Sequence, residues 1–179
     1  LGCGLGRGRQ TDALVRRLMD LPQPLVLDAD GINALAGHMD EWERRRGRVT
    51  VLTPHEGEFL RVGGNLSQGR TAAAEDFARR SGAVVVLKGP GTVVAGPDGR
   101  CRVNTTGNCG MAKGGSGDVL SGVVLALLGL GMDAFDACCC AVWLHGRAGD
   151  LAAQEKGQWG MTPTDILERL PQALREVTE

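Results

Sequence analysis

Apolar positions in this chain fall into short unbroken runs and longer, helically spaced stretches, and the alternation of the two sets the expected architecture. Leu14, Val15 and Leu18 recur at helical spacing and predict a helix over Thr11–Asp20, started by a capping Thr/Asp pair and ended before Pro22 and Pro24. Leu25–Asp28 reads as a short buried strand that delivers acidic residues at its C-terminal edge, with helical Ile32–Leu35 behind it. Val49–Leu52 repeats the device and runs into the polar segment Thr53-Pro54-His55-Glu56-Gly57-Glu58, expected as a loop. A helix over Ala72–Arg80 leads to Ala83–Leu87, an apolar run of the kind covered on both faces of a sheet, closed by Lys88-Gly89-Pro90-Gly91. Thr92–Ala95 and Cys101–Val103 flank Gly96-Pro97-Asp98-Gly99-Arg100 and predict a hairpin on the sheet edge. Three helices follow: Val119–Leu130, Ala134–Gln154, and one from Thr162 capped by the Thr162/Asp165 pattern. The expected fold is therefore α/β, a doubly wound, mostly parallel sheet flanked by helices with an edge β-hairpin, in one domain over 1–179.

Composition narrows the functions this fold can serve. A formal net charge of −1, with Lys and Arg spread along the chain, provides no basic field for nucleic acid or an acidic membrane. Tyr is absent, so stacking platforms for single strands are lacking too. No apolar run approaches the roughly 20 residues that span a bilayer, and the expectation is a cytoplasmic protein. Cys3, Cys101, Cys109, Cys138, Cys139 and Cys140 form no Cys-x-x-Cys pair, and adjacent helical side chains diverge by about 100°. They are expected to be reduced, small buried hydrophobes rather than zinc ligands or disulfides.

The chemistry concentrates in Asn108-Cys109-Gly110-Met111-Ala112-Lys113-Gly114-Gly115-Ser116-Gly117-Asp118, directly before an apolar helix. Glycines there let several backbone N–H groups converge at a helix N-terminus, which is a phosphate-binding geometry. A carboxylate beside a bound anion is costly unless it works, and Asp118 suits a base that takes the proton of an attacking hydroxyl. Lys113 imitates a P-loop lysine, but this loop ends in Gly-Asp rather than Gly-Lys-Ser/Thr, so Lys113 is expected at the phosphate periphery or in solvent. Gly2-x-Gly4-x-Gly6 imitates a dinucleotide-binding turn, with the third glycine at the wrong spacing and an Asp28-Ala29-Asp30 cluster in place of one ribose-binding acid. Asp28, Asp30, Asn33, His55, Glu56 and Glu58 all follow the C-terminal ends of expected parallel strands, where such sheets form their crevice. Asp28, Asn33 and Glu58 are the candidates for holding Mg²⁺, directly or through water.

With these residues in view, the chain resembles the ADP/ATP-dependent NAD(P)H-hydrate dehydratases of the ribokinase-like superfamily. The resemblance rests on Gly2–Arg7, Leu27–Leu35, Leu52–Phe59, Val86–Thr92, Asn104–Gly122 and, more loosely, Leu144–Asp150 and Gly160–Leu170; the run from Thr106 through Leu120 is the most specific. It implies metabolite repair by a lyase: ADP or ATP phosphorylates the hydroxyl of S-form hydrated NADH or NADPH, and loss of phosphate restores the reduced cofactor. It further implies that Gly4, His55 and Asp118 face the hydrated dinucleotide, that Lys88, Gly89, Pro90, Gly91, Thr92 and Gly117 hold the adenine nucleotide, and that Asp118, Gly115 and Gly117 carry the phosphoryl step. Mg²⁺ and a homo-oligomer, a tetramer, belong to the same implication. The family's domain begins upstream of residue 1, so the chain reads as its C-terminal portion, lacking part of the dinucleotide site and leaving a sheet edge exposed; an epimerase domain fused upstream fits the resemblance. Cys3, Cys109 and Glu56 stand where the family usually has proline, which implies floppier loops at the two cysteines and an added charge at the third. The competing readings are a vitamin-precursor or sugar kinase of the same superfamily, which keeps its phosphorylated product, and a non-catalytic fragment.

Overall fold

The computed structural model describes residues 1–178, and its centre is a five-stranded sheet in the order β1-β2-β3-β4-β5. The strands are β1 (Leu25–Leu27), β2 (Thr50–Leu52), β3 (Val84–Leu87), β4 (Val93–Ala95) and β5 (Cys101–Val103). β1, β2 and β3 are parallel; β4 is antiparallel to both β3 and β5. The expected hairpin is thus the second half of the sheet, joined to the first by the five residues Lys88–Thr92. Leu1 extends the other edge, donating its N–H to the Val26 carbonyl (2.7 Å) and accepting from the Asp28 N–H (3.1 Å).

Alternation along β3 sends side chains to two cores, as an all-apolar strand requires. Val85 and Leu87 pack with Val15, Ile32, Phe59 and Phe77, from α1 (Arg9–Leu18), α2 (Ala29–Asn33), α4 (Glu56–Arg61) and α5 (Arg70–Ser81). Val84 and Val86 pack with Leu120 and Val124 of α6 (Ser116–Gly129) and with Ala141 and Val142 of α7 (Ala134–Gly160). α8 (Pro163–Thr178) seals α7 through Ile166 and Ala173. No helix among the described residues is long and apolar enough to cross a membrane.

Several expectations are corrected. α1 starts at Arg9 behind Gly8, with no side-chain cap, so Thr11 lies inside the helix rather than at its start. α3 (Met39–Arg44) was not expected, because its one buried hydrophobe, Trp42, shows no period. The segment after β2 is loop only to His55. His55 is the N-cap of α4: its Nδ1 accepts from Gly57 N (3.0 Å) while Glu58 Oε2 accepts from His55 N (2.9 Å), a capping box with imidazole in the usual hydroxyl role. α7 outruns Gln154 by six residues and kinks at Gly157. The Thr162/Asp165 cap forms as expected, with Thr162 N donating to Asp165 Oδ2 at 2.7 Å. Of the cysteines only Cys138 is fully buried; Cys3, Cys109 and Cys140 are exposed, and all six are free thiols.

Candidate active site

Three strand ends and one helix start meet at the C-terminal edge of the parallel strands. β1 ends in Asp28, whose buried carboxylate accepts from Lys88 Nζ, Ser121 Oγ and the Ala29 N–H, each at 2.8 Å. β2 ends in Thr53, whose hydroxyl donates to the Leu27 carbonyl (3.2 Å) and so ties the two strand ends together. β3 ends in Lys88, which pairs with His55 in an isolated parallel bridge and donates its N–H to Pro54 O (2.8 Å). Asp28 thus links β1, β3 and α6 through charge-assisted hydrogen bonds.

α6 enters this junction head first. Gly115 is its N-cap in the left-handed conformation (φ 95°), which an L side chain would strain. Gly117 lies flat against the ion pair: a Cβ there would sit 3.1 Å from Lys88 Nζ and 3.4 Å from Asp28 Oδ2. The glycine therefore lets the Lys88 ammonium, paired with Asp28, lie close to the helix start and its orphan N–H groups, a donor set of the kind that suits an anion. Asp118 is exposed one residue further on. Its carboxylate, that of Asp28 and the Cys3 sulfur lie within 4.8 Å of one another, the one such cluster of potential metal ligands among the described residues.

The glycine segment at the chain start lies over the same point. Gly2 seats directly on the Asp28 carbonyl, where any Cβ would overlap it. Gly6 N donates to Asp30 Oδ2 (2.9 Å), and Gly4 between them is exposed, with no atom near the position a side chain would take. Cys3 faces the two carboxylates; partial burial, then its hydrogen bond to Asp118 and the negative charges, push its thiol up to about 11. It stands there as a neutral S–H.

The expected residues divide accordingly. Asp28, Lys88, Gly117 and Asp118 come together at this edge, Gly115 precedes them at the head of α6, His55 is bridged to Lys88, and Gly4 follows Cys3 in the chain. Asn33 and Glu58 are engaged elsewhere, Asn33 Oδ1 by Arg61 and Glu58 by the α4 cap, which leaves Asp28 as the Mg²⁺ candidate beside Asp118. Lys113 is exposed but tethered: its Nζ donates to the carbonyls of Gln158 (3.3 Å), Trp159 (3.0 Å) and Met161, fixing the loop to the end of α7. Cys109 joins the same attachment through Gln158 Oε1 (2.9 Å), while Asp150 accepts from Gly107 N and Asn108 Nδ2, both at 2.9 Å. The proline that Cys109 replaces is thus offset by side-chain ties. Glu56 is not a loose charge, since its carboxylate lies 3.2 Å from Arg70 Nε.

Sequence reasoning did not find Ser121, His145 or Arg70. Ser121 was within reach, one helical turn after Gly117 and so on the same face. His145 is buried in α7 with the Ser116 backbone and Lys88 as neighbours, and burial, with Lys88 adding to it, lowers its pKa to about 4. No local pattern marks it or Arg70.

The layers, the parallel-to-antiparallel switch and the glycine-led α6 define a ribokinase-like α/β protein. Its relatives are more specific. A family model described as NAD(P)H-hydrate dehydratase matches residues 1–172, and the chain belongs to that family. It is 45% identical over its whole length to the bifunctional NAD(P)H-hydrate repair enzyme Nnr of Thermofilum pendens, of which it covers 35%. It is 40% identical to the ADP-dependent (S)-NAD(P)H-hydrate dehydratase of Neisseria meningitidis, with 88% of this chain and 55% of that protein aligned. The crystal structure of the ADP/ATP-dependent NAD(P)H-hydrate dehydratase of Bacillus subtilis, co-crystallised with ATP/Mg²⁺, superposes with a TM-score of 0.83 at 32% identity, covering 98% of this chain and 63% of that one. The chain thus spans about a third to two thirds of the length of these relatives.

Proposed function

We propose that this chain carries the phosphoryl-transfer half of an S-form NAD(P)H-hydrate dehydratase that uses ADP or ATP. The observation that carries the reading is the head of α6, where the exposed carboxylate of Asp118 stands beside a glycine-lined anion receptor backed by Lys88. Asp118 takes the proton of the substrate hydroxyl as its oxygen bonds to the terminal phosphorus; the bond from that phosphorus to the bridging oxygen breaks, and AMP (or ADP) departs. The N–H groups at Gly115–Gly117 and the Lys88 ammonium meet the charge on the transferring group. The ring nitrogen's electron pair then expels phosphate from the phosphorylated carbon, and loss of a proton from the neighbouring carbon restores the double bond. Mg²⁺, when bound, would neutralise phosphate charge, with Asp28 the side chain at hand. Gly4 and His55 are the residues we assign to the dinucleotide, and Lys88–Thr92 those we assign to the nucleotide.

The test is chemical. Intact protein given NADPH hydrate and ADP should restore the reduced-nicotinamide absorbance and release one inorganic phosphate per turnover. No recovery with either ADP or ATP refutes the reading, and a retained phosphorylated product would make the protein a kinase. Asp118→Asn should cut turnover at least about 100-fold with nucleotide binding kept; unchanged turnover would remove Asp118 as the base.

A further inference from the structure

Arg70, in the first turn of α5, gathers the main chain of the Lys88–Thr92 loop. Its Nη2 donates to the Leu87 carbonyl at 2.9 Å, and its Nη1 donates to the carbonyls of Pro90 and of Gly91, the latter at 3.3 Å. The remaining loop carbonyl in reach of a side chain, that of Gly89, accepts from Thr92 Oγ1 at 3.1 Å. On its far side Nε lies at ion-pair distance (3.2 Å) from Glu56, the residue next to His55, without a hydrogen bond between them. The side chain is about three quarters buried, and its planar fork suits several acceptors at once in a way a lysine cannot match.

The consequence follows from peptide geometry. All peptide bonds here are trans, so within each unit the N–H points opposite to the C=O. Holding the Pro90 and Gly91 carbonyls on Arg70 turns the N–H groups of Gly91 and Thr92 the other way, away from the guanidinium. We propose that Arg70 is a positioning residue for the nucleotide: it touches no substrate, but presets the Gly91 and Thr92 amides, with its own positive charge behind them, as a second anion receptor for the nucleoside di- or triphosphate. This rests on the dehydratase reading for the identity of the nucleotide. Glu56 stands at the other end of Arg70 as its ion-pair partner.

Calorimetric titration of the intact protein with ADP, alongside steady-state kinetics in which ADP and NADPH hydrate are varied in turn, tests this. Arg70→Ala should weaken ADP binding about tenfold or more, because hydrogen bonds from a charged donor are lost. Arg70→Lys should recover part of that loss. In both variants KM for the hydrate should stay within about twofold of wild type and the melting temperature should change little in Arg70→Lys. A merely structural role would move both KM values together. ADP affinity unchanged in both variants, or parallel loss for both substrates in Arg70→Lys, overturns the proposal while leaving the dehydratase reading standing. Failure of the wild type itself to bind either ADP or ATP overturns both.

Discussion

Lowering the pH from 7.5 to 4 should cost this fold about 3 kcal/mol through one side chain, His145. Only 8% of the residue is exposed, its Nε2 has no hydrogen-bond partner among the described residues, and Lys88 adds a repelling charge. Against these the Ser116 backbone favours protonation, and the balance lowers the folded pKa from 6.5 to about 4. The sign is fixed by which state takes up the proton first. As the pH falls below 6.5 the unfolded chain protonates its imidazole while the folded one stays neutral until about 4, so protons drive unfolding throughout that interval. The stabilisation is complete above 6.5, decays on acidification, and levels off below about 4. At about 1.36 kcal/mol per pH unit, the interval amounts to about 3 kcal/mol. Urea unfolding of wild type and His145→Gln at a series of pH values isolates the effect, since every other titrating group is common to both. The stability difference between them should shift by about 3 kcal/mol, against the wild type, from pH 7.5 to 4. A difference constant across that range would refute the assignment of His145 as a buried neutral imidazole.

Two further outcomes test the frame around the site. Arg45 is 2% exposed and has no acidic partner among the described residues; it donates to Thr50 Oγ1 and to the carbonyls of Met19, Leu21, Gln23 and Val49, closing the end of the sheet opposite Asp28 and Lys88. Arg45→Leu strands these acceptors and should destabilise the protein by about 3 kcal/mol or more, and Arg45→Lys should recover little; denaturant midpoints that match wild type would show that the carbonyls find other partners. Thiol titration at pH 8 should modify exposed Cys109 and Cys140 first, Cys3 more slowly because its thiol is held up near 11, and Cys138 only on unfolding. Native labelling of Cys138 as fast as Cys140 would contradict its burial.

The sheet was largely legible in the sequence because short β-branched runs such as Val84–Leu87 have one stable use, a strand covered on both faces. The chemical loop was legible for a similar reason: consecutive glycines before an apolar helix, followed by an acid, leave few geometries. Short helices were not. α3 and α4 are six residues each, too brief for a period, and α4 begins with a histidine cap where a hydroxyl or carboxamide would be looked for. Charged side chains were the hardest. Lys113 and Arg70 end on main-chain carbonyls 17 to 48 residues away in sequence, and such targets exist only once the helices have packed. Asp28, a candidate Mg²⁺ ligand in the sequence, also holds Lys88, 60 residues on, because the parallel strands bring both to one edge.

The antiparallel placement of β4 beside β3 bears on how this sequence can vary in length. With Leu87 opposite Val93, the residues between them span two neighbouring strands, and a single insertion there would move either the strand register or the three carbonyls held by Arg70. The turn at Gly96–Arg100 joins β4 to β5 under no such double constraint. Relatives aligned over this region should therefore keep five residues between β3 and β4 and place their insertions and deletions in the following turn.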